Sequence, residues 1–311
     1  VLSIDELQGL MDAIRDCYEI QEQAEITLEA NPDDISSDLL SHWQELGVNR
    51  LSIGIQSFQE NELSNMNRSH SAAQALDCID LVRESGVSNF SIDLIYGSQE
   101  TSLDDWVKNL SHVIELDVPH LSAYALTVEP KTALAHKIKT GAQRPVSDVA
   151  LSEQYEELIQ RMKVASYDHY EISNFAKPDF EAIHNTNYWK GIEYIGLGPA
   201  AHSFKGTTRQ WNVSNNARYI RSISDSKIPC EIETLSTKDQ FNEYLLTHLR
   251  TKWGCNWEEM SERFDRNLID EVKAKVPGLV KNSWAQTFES GFHLNEKGMF
   301  LSDGIISDLM Q

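Results

Sequence analysis

An α/β fold built on parallel strands is what this 311-residue chain predicts. Two observations predict it. Through the first half, segments with apolar residues at helical spacing alternate with short period-two segments, and four successive helix–strand units require parallel strands joined by helical crossovers. The first three of those strands also have one aliphatic face and one small or polar face. A fully parallel sheet is normally apolar on both sides, so a polar second face lines something hydrated or liganded.

The elements follow in order. Residues 3–18 place Leu7, Leu10, Met11 and Ile14 at helical spacing behind an N-cap serine, Ser3, and helix-entry acids. Residues 24–30 alternate with period two and stop at Asn31-Pro32. A second helix, 36–46, closes at Gly47, and 50–56 follows as a strand. Helix 71–85 and strand 89–95, then helix 102–116 and strand 120–127, repeat the unit. After Pro145 the rhythm stops: 147–165 reads as a helix and Tyr170 to Phe175 as an extension of the sheet. From about 214 helices are expected at 215–225, 237–252, 256–264 and 265–275, followed by a hairpin within 284–303. Helices and hairpin together suggest a small, mainly helical, winged-helix-like module. The expected organisation is a (β/α) portion over 1–145, a linking sheet extension over 146–213 and a C-terminal module over 214–311.

Composition narrows the function. Forty-eight acidic against 27 basic side chains give a formal charge of −21, which repels a phosphate backbone and an anionic membrane surface alike, so no nucleic acid partner is expected even with a winged-helix-like module. No apolar run is long enough to cross a bilayer, and stable membrane insertion is not expected. Cys17, Cys78, Cys230 and Cys255 lie far apart with no CxxC pairing, as expected of reduced thiols in a cytoplasmic protein.

The polar strand faces end in functional groups: Glu29, Gln56 and Asp93. Ligands of α/β sheets bind at the C-terminal ends of strands, so three such groups on consecutive strands mark a site. Arg68 leaves the same strand end as Gln56 and is either a surface arginine or a grip for a ligand carboxylate. Acid, amide and guanidinium together suit an amino-acid-like or nucleoside ligand. Two further segments stand out. Gly196 and Gly198, ahead of His202, permit a close backbone approach to a ligand or simply a tight turn. His184-Asn185-Thr186-Asn187-Tyr188-Trp189 sets a histidine beside aromatics, as a metalloporphyrin site or a packed core cluster would.

In these phrases, together with Leu28-Glu29-Ala30-Asn31-Pro32, Asp93-Leu94-Ile95-Tyr96-Gly97 and Tyr170-Glu171-Ile172-Ser173-Asn174-Phe175-Ala176, the chain resembles the radical S-adenosylmethionine (SAM) enzymes of the oxygen-independent coproporphyrinogen III oxidase group, above all their HemW-type heme chaperone branch. The resemblance runs over nearly the whole chain. It implies a partial (β/α)6 barrel, TIM-barrel-like, with a small helical C-terminal domain, and SAM, a [4Fe-4S] cluster and heme as cofactors or cargo. Position by position, it implies SAM contacts by Glu29, Gln56, Arg68 and Asp93, further SAM-lining positions at Thr127 and His202, and His184 of the HNxxYW phrase as heme ligand. The function implied is heme binding and transfer to acceptor proteins. Its rivals are oxidative decarboxylation of coproporphyrinogen III to protoporphyrinogen IX and a cofactor-free α/β binding scaffold.

The departure is the family's CxxxCxxC motif and the GGxP strand after it, neither of which is in this sequence. The four cysteines have neither the spacing nor the position to replace those ligands, so no cluster ligand is expected among these residues. The motif either lies in a preceding N-terminal segment or has been lost, and a helix that opens at the third residue leads us to expect the former.

Overall fold

Helix α1 (Ile4–Cys17) begins on the expected cap: Ser3 Oγ accepts from the Glu6 amide while the Glu6 carboxylate accepts from the Ser3 amide. The computed structural model describes residues 2–99, 101–142 and 144–311, which form two compact units, Val1–Glu181 and Ala182–Gln311.

In the first unit, β1 (Thr27–Ala30), α2 (Ser37–Glu45), β2 (Arg50–Gln56), α3 (Glu60–Asn65), α4 (Ala72–Glu84), β3 (Phe90–Tyr96), α5 (Leu103–Glu115) and β4 (His120–Ala125) follow one another. They continue as α6 (Ala133–Lys139), α7 (Asp148–Val164), β5 (Asp168–Glu171) and β6 (Asn174–Ala176). The sheet order is β1-β2-β3-β4-β6-β5, with β1 to β4 parallel, as the helical crossovers require. The extension over Tyr170 to Phe175 is a hairpin, β5 and β6, whose second strand runs antiparallel to β4. Leu51, Ile53, Ile55, Ile92, Leu94 and Leu121 are buried on the helix-covered face. Period-two alternation then puts Ser52, Gly54, Ser91, Asp93, His120 and Ser122 on the other. Serines 36, 71 and 102 each cap the helix that follows.

Three of the expected elements end at other residues. Strand β4 ends at Ala125, so Thr127 lies in the loop beyond it, exposed, with its Oγ1 3.4 Å from the Ala125 carbonyl. Helix α12 (Arg266–Lys281) runs past Pro277 because Ile269, Val272, Val276 and Leu279 keep one stripe on the core of the second unit. The C-terminal hairpin stops at Leu294, because Asn295 accepts from the Gly298 amide and caps a helix.

The second unit contains α8 (Ile183–Trp189), β7 (His202–Lys205), β8 (Thr208–Asn212), α9 (Asn216–Ser224) and β9 (Cys230–Thr234), the three strands forming an antiparallel sheet. It continues through α10 (Thr237–His248), β10 (Cys255–Asn256), α11 (Trp257–Arg263), α12, β11 (Ala285–Phe288), β12 (Gly291–Leu294), α13 (Glu296–Phe300) and α14 (Ser302–Leu309). Three helices ahead of the β11–β12 hairpin, with β10 as third strand, give the winged-helix-like arrangement around Phe241, Leu245, Val272 and Phe292. Segment 146–213 contributes α7, β5 and β6 to the first unit and α8, β7 and β8 to the second.

Candidate functional site

At the C-terminal ends of β1, β2 and β3 in the first unit, Gln56 and Arg68 converge over Gly54, and Asp93 lies within electrostatic reach of Glu29 and Arg68. A register shift between Ile53 and Gln56 bulges β2 against β3, and Gln56 itself adopts φ 67°, a left-handed conformation uncommon for a residue with a side chain. Together they fold the Gln56 amide back over the strand. A Cβ built on Gly54 would stand 3.0 Å from Gln56 Nε2, 3.2 Å from Arg68 Nη2 and 3.6 Å from Asn31 Oδ1. Glycine is therefore needed for three polar groups to converge over the sheet.

Arg68 is held from below. Its Nη2 donates to Asn31 Oδ1 at 2.7 Å and to the Gly54 carbonyl at 2.9 Å. The next two residues pin the loop: Ser69 Oγ donates to Asp33 Oδ2 at 2.7 Å, and His70 Nε2 lies 3.0 Å from the Ile55 carbonyl. Behind Gln56 a buried network fixes the chain as it leaves β2. Ser57 Oγ donates to Glu62 Oε2 at 2.5 Å, Asn109 Nδ2 donates to the same oxygen at 3.2 Å, and the Phe58 amide donates to Asn109 Oδ1 at 2.9 Å. Burial pushes the Glu62 carboxyl above its ordinary range, against hydrogen bonds that pull it down.

Asp93 is the electrostatic centre. Burial, with Glu29 adding its charge, pushes its pKa up to about 6, while the Ser122 hydroxyl and the guanidiniums of Arg50 and Arg68 pull the other way. Deeper on the same face, Arg50 is buried 3.9 Å from Glu25, and desolvation lowers its pKa. His120, fully buried 2.8 Å from the Tyr170 hydroxyl, is driven down to about 3 by desolvation and by Arg50, so it is a neutral imidazole.

The structure thus brings Glu29, Gln56, Arg68 and Asp93 together. Thr127 stands past the end of β4 in the same unit, and His184 and His202 belong to the second unit. There, His184 is exposed near the start of α8, its ring edge-on to Tyr188 at 4.7 Å. His202 opens β7, stacked 6.2 Å from Trp211. The glycine loop is a backbone crossing: a Cβ on Gly196 would lie 2.0 Å from the His202 carbonyl oxygen, so the close approach is to the chain itself. Sequence reasoning missed Asn31, Arg50, His120 and the Ser57–Glu62–Asn109 network. Asn31 had a readable signal, two residues after Glu29 on the same face, and Arg50 stands in the same way two before Ser52.

The donor set at Gly54 fits SAM: carboxylates for an ammonium and ribose hydroxyls, an amide, and a guanidinium for a carboxylate. The cysteines do not fit a [4Fe-4S] cluster. Cys78 and Cys255 are buried, with thiols pushed up by desolvation, Cys17 is exposed on α1, and no group of three metal-binding side chains occurs among the described residues.

Residues 3–113 match the model of the radical SAM superfamily. The heme chaperone HemW of Bacillus subtilis is 32% identical over 306 residues, 98% of this chain and 81% of that protein. This chain belongs to the HemW family. HemW of Mycobacterium tuberculosis is also 32% identical, over 100% of the chain and 78% of its own length, and HemW of Escherichia coli is 39% identical over 204 residues, 65% of the chain and 52% of that protein. The fold is that of Escherichia coli coproporphyrinogen III oxidase, HemN, a radical SAM enzyme: TM-score 0.84 at 22% identity, covering all of this chain and 75% of that one. As a HemW-family chain, its expected cofactors are SAM and a [4Fe-4S] cluster.

Proposed function

We propose that this protein is a heme chaperone, which binds heme through His184 and passes it to acceptor proteins. The observation that carries this reading is His184 itself, an imidazole exposed at the start of α8 against the Tyr188 ring, within the HNxxYW phrase of a HemW-family chain. A ligand meant for transfer needs an accessible ligating group, and neutral imidazole is the common protein ligand of heme iron.

SAM is held within the first unit by Glu29, Gln56, Arg68 and Asp93, with Thr127 as a further lining position. When bound, SAM supplies the family's capacity for radical chemistry. The chain's own part is positional. Arg68 takes the methionyl carboxylate, Glu29 and Asp93 accept from ammonium and hydroxyl groups, and the bulge at Gln56 aims its amide into the same space. The four unpaired cysteines suit a reducing, cytoplasmic setting, and no helix among the described residues is long and apolar enough to cross a membrane.

The test is transfer. Heme-loaded protein is mixed with a heme-free cytochrome apoprotein and the Soret band followed. Movement of the band to the acceptor's position supports a chaperone, and retention of heme by this chain contradicts it.

A further inference from the structure

Tyr124 stands at the C-terminal end of β4 with 42% of its surface exposed, so its ring is not a core ring. Alternation along β4 puts it on the polar face with His120 and Ser122, and the register with β3 sets Ser122 against Asp93 and Tyr124 against Ile95. The ring is open, yet the hydroxyl is engaged. It meets the Ser122 hydroxyl, which also bonds the Asp93 carboxyl. Burial, with the charges of Asp93, Glu171 and Glu29 adding to it, pushes the phenol up to about 12, so at neutral pH it keeps its proton and can donate. Ser122 has only one proton to give. An ionised Asp93 is the strongest acceptor in reach and takes that proton's hydrogen bond, which leaves the serine oxygen to accept from the phenol. Donation therefore runs from Tyr124 to Ser122 to Asp93, and each bond strengthens the next.

We propose that Tyr124 is a positioning residue of the SAM site, which acts through Ser122 to hold the Asp93 carboxylate ready for the ligand. The inference rests on the SAM reading above and extends it to a residue that works through another. The other groups facing this pair come from every neighbouring element. Glu29 of β1 opposes ionisation of Asp93, Arg50 of β2 and Arg68 beyond α3 favour it, and Glu171 of β5 faces the phenol. These act by charge, whereas the hydrogen bond that sets the direction of the carboxylate comes from Ser122.

The pH profile of SAM affinity separates this role from direct contact. The full chain is titrated with SAM calorimetrically between pH 5 and 8, and the folding of each variant is checked by thermal unfolding. Tyr124→Phe keeps the ring and removes the hydroxyl. It is expected to move the midpoint of the profile upward by about one unit, so that affinity falls about fivefold at pH 6 and returns close to the parent's at pH 8. Ser122→Ala should shift the midpoint the same way, and adding Tyr124→Phe to it should shift it no further. An unchanged midpoint in Tyr124→Phe, an equal loss of affinity at every pH, or a further shift in the double variant would overturn the relay and leave the SAM reading standing. Failure of the unaltered chain to bind SAM at any of these pH values would overturn both.

Discussion

Arg68 donates through Nη2 to the carbonyl of Gly54 at 2.9 Å, a side chain reaching back to the strand it follows. That bond fixes a cation over the one position of β2 with no side chain. It makes the guanidinium part of the sheet's C-terminal edge rather than a mobile surface group.

Removing that cation should cost binding more than folding. Arg68→Ala is expected to weaken SAM affinity by about 1.5–3 kcal/mol, the worth of a charged hydrogen bond, or roughly 10- to 150-fold. Isothermal titration checks it, and equal affinities would reject the assignment.

Gly54→Ala tests the same convergence from beneath. The new methyl stands 3.0 Å from Gln56 Nε2 and 3.2 Å from Arg68 Nη2, both ends of flexible side chains, so the fold accommodates it while the two groups move aside. The expected result is a melting temperature within a few degrees of the parent and SAM affinity lower by about tenfold.

The fold was legible to the extent that it was local. Ser3 announced a helix because a hydroxyl cap acts within three residues, and β1 to β3 showed their two faces because alternation needs no partner. Glu29, Gln56 and Asp93 were readable for the same reason. Helices α3 and α6 are short and were not expected. The antiparallel turn of β5 into β6, the bulge at Gln56 and its φ of 67° depend on how strands meet, which one strand's residues do not record. The Glu62–Asn109 bond joins residues 47 apart, and no spacing rule reaches that far.

Asp93 sets a pH dependence. Its folded pKa of about 6 exceeds the ordinary 3.8, so the native state holds this proton more tightly than the unfolded chain. The stability this gives is full below pH 3.8 and is lost as pH rises through about 6, about 3 kcal/mol in all. Asp93→Asn should therefore flatten the melting temperature over that window and raise it at neutral pH. Ligand binding runs the opposite way: an ammonium or hydroxyl needs the ionised acid, so SAM affinity should climb between pH 5 and 7 in the parent and stay flat in Asp93→Asn.

Glu62 should behave as a structural anchor behind Gln56. Glu62→Ala removes the acceptor shared by the Ser57 hydroxyl and the Asn109 amide in a buried site and is expected to cost about 2–4 kcal/mol, read by urea denaturation. Glu62→Gln should cost clearly less, because burial already favours the uncharged form of this side chain. Equal losses in the two variants would reject a hydrogen-bonding role.

Heme binding through His184 is the central claim, and an absorbance titration of ferric heme into the full chain, beside His184→Ala, tests it most directly. The expected result is a saturating Soret band with one heme per chain and a histidine-ligated spectrum, lost or shifted in the variant. A Soret spectrum and affinity unchanged by His184→Ala would contradict it.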